Sequence, residues 1–213
     1  MDIRGVNVNI KKNQGSHRWS CRVDGMLAEG TLNIPSDKYL QSGIDLITKT
    51  IDKKIKTHSI NVFKDGGFVR VFGEIKTLRI YNNAKKDKIC YLNDEVIVTL
   101  KEEFNEDRVK QLFKKLAKKE LENYIDMRLP ELEKLTGLYS KSHRVKYMIS
   151  LWGRCQPRTG DLAFSVRLFN ERKEYIDSVI IHELVHLKIS NHGSEFYKIL
   201  YKYCPNYDNL KPI

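Results

Sequence analysis

The sequence has no run of the eighteen or so consecutive apolar residues that a membrane span needs. Its start, Met1-Asp2-Ile3-Arg4-Gly5, lacks the apolar core of a secretory leader, so the expectation is a cytoplasmic protein with no membrane partner. Cysteine is scarce: Cys21, Cys90, Cys155 and Cys204 lie far apart and form no Cys-x-x-Cys pair. That argues for four separate reduced thiols and against an all-cysteine zinc site. There is no internal repeat, no low-complexity tract, no single basic block and no named DNA-reading motif.

What is present is the mix of an ordinary globular chain. Hydrophobic residues make up 41% and charged residues 31% of 213, enough to bury a core and too apolar for disorder. Lys and Arg outnumber Asp and Glu by 38 to 27, and the net charge of +11 attracts acidic partners such as nucleic acid. Because the basic residues are spread along the whole chain, any such binding is expected to be non-specific, and the plain alternative is a solvated basic exterior. Oligomeric state is not readable.

The first part alternates short β-like runs with turns. His17–Val23 and Gly30–Ile34 read as a hairpin about Asp24-Gly25, closed by Pro35. Ser36 is placed to cap a helix running to about Lys56, with Leu40, Ile44, Leu46, Ile47, Ile51 and Ile55 as its apolar stripe. Ile60–Phe63 and Phe68–Phe72 flank Asp65-Gly66-Gly67 as a second hairpin signal, and strand-like runs follow near Thr77–Tyr81, Lys88–Leu92 and Glu95–Leu100. From about Asn105 to Arg128 the pattern turns helical, with Val109, Leu112, Phe113, Leu116, Leu121 and Ile125 on one side, until Pro130 ends or kinks it. Strands at Val145–Leu151 and Leu162–Leu168, the second cleanly alternating, precede helices over about Arg172–Ser190 and Ser194–Tyr203. The division expected is a β-rich N-terminal region with one helix, 1–100, and a second domain, 101–213.

The chemistry is carried by His182-Glu183-Leu184-Val185-His186. Four residues advance about 400° around a helix, so both imidazoles share one face, and Glu183 stands about 100° away, beside the ligands without being one. With six histidines in the chain, chance yields such a motif about 0.01 times. The bland reading is an amphipathic helix with two incidental surface histidines. Against it, Ile176, Val179, Ile180, Ile181, Leu184, Val185, Leu187 and Ile189 surround the helix almost completely, and a buried Glu between two buried His is costly unless paired or near a metal. Zinc is the metal such a set suits. It takes three protein ligands at a catalytic site and leaves one position for water, whose proton Glu183 would accept.

His192 is the first choice for third ligand, with Asn191 expected in the left-handed conformation to turn the chain back; Glu195 is the runner-up and Asp208 a more distant option. Arg154, Arg158, Tyr197 and Tyr201 are candidates for stabilising an oxyanion, and the sequence does not choose among them. Trp152-Gly153-Arg154-Cys155 either frames the site or puts Trp152 in the core with Gly153 for close packing.

Leu151-Trp152-Gly153-Arg154-Cys155, Val166-Arg167-Leu168, the His182–Leu187 motif and Asn191-His192-Gly193-Ser194-Glu195-Phe196-Tyr197 together resemble the YgjP-like metallopeptidase family, related to SprT-like and other zincin proteases. The close likeness covers about residues 145–205. It implies an α+β, zincin-like catalytic domain preceded by the β-rich region, with zinc on His182, His186 and His192 and Glu183 as general base. It also implies a protein or peptide substrate laid along the edge region of the sheet containing the Leu162–Leu168 strand. Two departures stand out: Arg154 occupies a position where the family usually has a small residue, and Ile189 replaces the glycine that the metzincins have between the second and third histidine. The competing readings are a nucleic-acid-associated module with a structural metal, and a DNA-associated SprT-like protease.

Overall fold

The computed structural model describes residues 1–12, 20–57 and 59–212. It is a mixed α+β chain that divides into two compact units, residues 1–70 with 75–113, and residues 71–74 with 114–213. Among the described residues, no helix is long and apolar enough to cross a membrane.

In the first unit, β1 (Asp2–Ile3), β2 (Val6–Lys12), β3 (Ser20–Asp24) and β4 (Glu29–Ile34) form a sheet in the order β1-β2-β4-β3, with β2 parallel to β4. The expected hairpin is β3 and β4, paired antiparallel from Ser20↔Asn33 to Asp24↔Glu29; His17–Trp19 of that expectation lie outside the described residues. Helix α1 (Leu40–Lys56) follows a 3-10 turn at Asp37–Tyr39, and Ser36 makes no side-chain cap. It buries Gly43, Ile47 and Ile51, whereas Leu46 is 44% exposed and falls outside the stripe. A Cβ on Gly43 would meet side-chain tips of Leu32 and Ile34 at 3.0 Å, so this glycine sets how closely the helix lies on β4.

A second sheet holds β5 (Phe68–Val71), β6 (Glu74–Tyr81), β7 (Lys88–Leu92) and β8 (Glu95–Thr99) in the order β5-β6-β8-β7. The expected strand at 60–63 is absent. Ile60 and Phe63 are buried in an irregular segment that Asn61 supports by donating to Met26 O and accepting from Arg70 N, both at 2.9 Å. The hairpin turn sits instead at Phe72 and Gly73, whose φ angles of 50° and 85° supply the two left-handed residues a tight turn wants.

Helix α2 (Glu106–Thr136) starts where Asn105 Oδ1 accepts from Arg108 N, and it continues past Pro130 without ending there. Proline removes one backbone hydrogen bond, but the buried row Leu121, Ile125, Leu129 and Leu132 continues across it, so packing holds the helix until Gly137 turns left-handed at φ 70°.

In the second unit, β9 (Ser142–Lys146), β10 (Gly153–Gln156) and β11 (Asp161–Ser165) form a sheet in the order β10-β11-β9. Two longer strands were expected; the structure has three short ones, and Val166–Asn170 is a 3-10 helix. The alternation read into 161–168 fails because β11 is central: Leu162, Ala163, Phe164 and Ser165 are all buried. Helix α3 (Lys173–His186) is shorter than expected and α4 (Ser194–Tyr203) is as expected. Asp177 of α3 accepts from Tyr124 Oη and Arg128 Nε of α2, both at 2.8 Å.

Candidate metal centre

His182 and His186 occupy the last two turns of α3, and the helix stops at the second of them. The stop is a tightening. Leu187 N donates to Leu184 O and Lys188 N to Val185 O, and the chain then swings so that Ile189 O accepts from His186 Nδ1 at 2.9 Å. A carbonyl only accepts, so the proton sits on Nδ1 and the lone pair of Nε2 faces outward. The expected left-handed Asn191 is not found; Asn191 takes no positive φ, and the return is made by the 187–189 turn with Asn191 Oδ1 accepting from Gly193 N.

That return brings three nitrogens together. His182 Nε2 lies 3.1 Å from both His186 Nε2 and His192 Nε2, which are themselves 3.0 Å apart. Among the described residues these three form the cluster able to hold a metal ion. Glu195, in the exposed first turn of α4, and Asp208, whose carboxylate accepts from Tyr201 Oη, are not in it. Phe196 is fully buried beneath the group, with its ring 4.9, 4.7 and 4.8 Å from those of His182, His186 and His192.

Burial, and then the nearby charges of His186 and His192, push His182 down to about 4, and burial likewise lowers His186. Both are therefore neutral at pH 7, as metal ligands must be. Three imidazole nitrogens converge at this spacing, and a single cation at imidazole–zinc distances of about 2.0–2.1 Å reaches all three. The donor set fits zinc.

Glu183 is 6% exposed and lies against β10. A Cβ on Gly153 would stand 2.5 Å from Glu183 Oε1 and 2.6 Å from its Cγ, so only glycine leaves room for the carboxylate. Ser165 N donates to Trp152 O, which makes Trp152 and Ser165 a hydrogen-bonded pair and, by the alternation of an antiparallel ladder, turns the amides of Gly153 and Cys155 away from β11. The Cys155 N–H is taken by Glu183. Burial raises Glu183 to about 7, with the Cys155 amide opposing the rise. Burial, and then Glu183, push the Cys155 thiol up to about 11, which leaves it a poor nucleophile. Gly153 thus serves close packing and frames the site at once.

These groups line an open cleft of about 530 Å³. Leu151, Trp152, Arg154, Tyr175, Val179 and Tyr207 are among its other walls, and Trp152 is held between Tyr175, edge-on at 5.7 Å, and the Arg167 guanidinium at 4.5 Å. Of the four oxyanion candidates only Arg154 lines the cleft; Tyr197 lies beside His192 at 6.5 Å between rings, Tyr201 is turned to Asp208, and Arg158 is exposed in the β10–β11 turn. Tyr207 went unforeseen: its Oη is 2.9 Å from His182 Nδ1, and burial holds its phenol up at about 12. No periodicity marks it, since it lies in a single 3-10 turn, Tyr207–Asn209, after α4.

Compared with known proteins, the chain is matched by the family model for the YgjP-like metallopeptidase domain over residues 34–213, from the end of β4 to the C-terminus. No curated protein and no solved structure matches it. The family match takes in most of both units, including every residue of the histidine cluster and Glu183, and on it the chain belongs to the YgjP-like metallopeptidase family.

Proposed function

We propose that the chain is a zinc-dependent peptidase with a zincin-type site, in which His182, His186 and His192 hold the metal and Glu183 is the general base. The observation that carries this reading is the meeting of three imidazole Nε2 atoms, 3.0–3.1 Å apart, with a buried carboxylate on the residue after His182 in the same helix. Zinc, when bound, supplies Lewis acidity that makes a water reactive near neutral pH. Glu183 accepts the proton of the attacking water on its carboxylate and returns it to the leaving amine nitrogen. Its pKa, raised to about 7, suits both halves of that transfer. The Cys155 amide and the bare face of Gly153 hold the carboxylate in one orientation.

A protein or peptide is the substrate proposed, laid extended in the cleft. Strand addition was expected near the Leu162–Leu168 strand; β11 is interior, so the accepting edge in this reading is β10, whose Gly153 and Cys155 carbonyls face away from β11. Arg154 is the one oxyanion candidate of the sequence that remains in the cleft. The structural-metal alternative has no observation of its own in its favour, since a closed structural site needs a fourth protein ligand and no base.

Glu183→Gln tests the reading. It keeps the shape of the side chain and removes the base, so zinc content and melting temperature should stay parental while cleavage of an unfolded protein falls by about 100- to 10,000-fold. Loss of zinc in this variant, or full activity, overturns it.

A further inference from the structure

We propose that Tyr207 is a positioning residue for His182, holding its ring so that Nε2 faces the other two imidazoles, and that the C-terminal 3-10 turn Tyr207–Asn209 is thereby part of the metal centre. The proposal rests on the metal-centre reading above. A neutral imidazole has one N–H, and His182 turns its Nε2 toward His186 and His192. A lone pair is available there only if the proton is on Nδ1. Tyr207 Oη lies 2.9 Å from that Nδ1, where with this tautomer it is the acceptor, and the two rings are nearly parallel at 18°. The Ile189 carbonyl can only accept from His186, whereas this hydroxyl can accept or donate, so its part is to hold the His182 ring once the proton is on Nδ1. Outer partners of this kind orient the ring and raise the basicity of the donor nitrogen.

The tail is built to deliver that hydroxyl. Helix α4 ends at Tyr203, and Cys204 is buried and donates its N–H to Leu200 O. Tyr207 N donates to Cys204 O at 3.1 Å, and Leu210 N donates back to Tyr207 O at 3.1 Å. The next residue, Asp208, accepts from Tyr201 Oη at 3.0 and 3.2 Å. Tyr207 is therefore pinned on both sides, to the end of α4 and to its outer face.

The test is Tyr207→Phe, which keeps the ring and removes the hydroxyl. Zinc affinity, read by competition with a chelator, should weaken by about 10- to 100-fold. In the zinc-loaded parent, nitrogen-15 NMR should show His182 protonated on Nδ1 with a slowly exchanging proton, and that protection should be lost in Tyr207→Phe. Parental affinity in the variant, or a parent whose His182 proton is on Nε2, overturns the proposal. If Tyr207→Phe does not fold, the exchange rate of the parent's His182 Nδ1 proton decides alone: slow exchange supports the hydroxyl's hold, and fast exchange overturns it. His192→Ala separates this proposal from the one beneath it: should that variant bind zinc as the parent does, the metal-centre reading fails, whereas a failure confined to Tyr207 leaves it standing.

Discussion

Helices α1 and α3 each meet a strand across a glycine, and they do so in opposite senses. On α1 the glycine is the helix's own: Gly43 lets it lie on Leu32 and Ile34, whose flexible ends would be the first atoms a methyl group met. At α3 the glycine belongs to the strand. Gly153 of β10 makes room for Glu183, and what a methyl group would meet is a carboxylate already bonded to the Cys155 amide. α1 keeps a wet face with Leu46 and Lys53 outward, while α3 buries Ile176, Ser178, Val179, Ile180, Ile181, Glu183, Leu184 and Val185. A helix with a wet face places its polar groups in water. One without must give each a partner, as Ser178 finds in Tyr175 O and Glu183 in Cys155 N.

Breaking the two glycine contacts separates them most sharply. Gly153→Ala should cost about 100-fold or more in peptidase activity, because the carboxylate must leave the Cys155 amide, while zinc measured by metal analysis stays near one per chain. Unchanged activity would mean that Glu183 does not act from this position. Ile180→Ala, at a fully buried site on α3, should lower stability in denaturant titration by about 2–5 kcal/mol. Gly43→Ala asks only that Leu32 and Ile34 shift, so a loss of about 1–3 kcal/mol with parental activity is expected. The smallest effect is on the outer face of α1. Lys53→Ala should change stability by no more than about 0.5 kcal/mol. Affinity for nucleic acid, resting on dispersed lysines of this kind, should be free of sequence preference and fall steeply across a salt series in filter binding.

Much of this was legible in the sequence where one face of an element is wet. The α1 stripe, the β3–β4 hairpin, β6 to β8 and α4 all show a period because water sits on one side of them. Legibility failed where that contrast disappears. The apolar run Ile60–Phe63 is buried without being a strand. β11 loses its alternation because it is covered on both faces, and β10, with Arg154 and Gln156 exposed, carries too few apolar residues to announce a strand. Pro130 suggested an end or a kink in α2, and packing overrides the end. At the site, His182, Glu183 and His186 were named from the motif's spacing and His192 from the expected return of the chain, and the three imidazoles do meet. The way the chain returns to His192 was misread through Asn191. Phe196 and Tyr207 could not be assigned roles, since a ring beneath the histidines and a hydroxyl beyond one of them answer to three-dimensional neighbours and leave no local pattern.

The three imidazoles come from residues 182–192, whereas the groups that hold Glu183, Gly153 and Cys155, come from a hairpin far upstream. Bringing the imidazoles together closes only a short loop and costs little chain entropy. Holding the carboxylate requires the β10–β11 hairpin to be docked. On the proposed reading, a local opening of that hairpin disarms the catalyst while the metal stays bound, so hydrogen exchange in β10 would report the working fraction of the enzyme where zinc content would not.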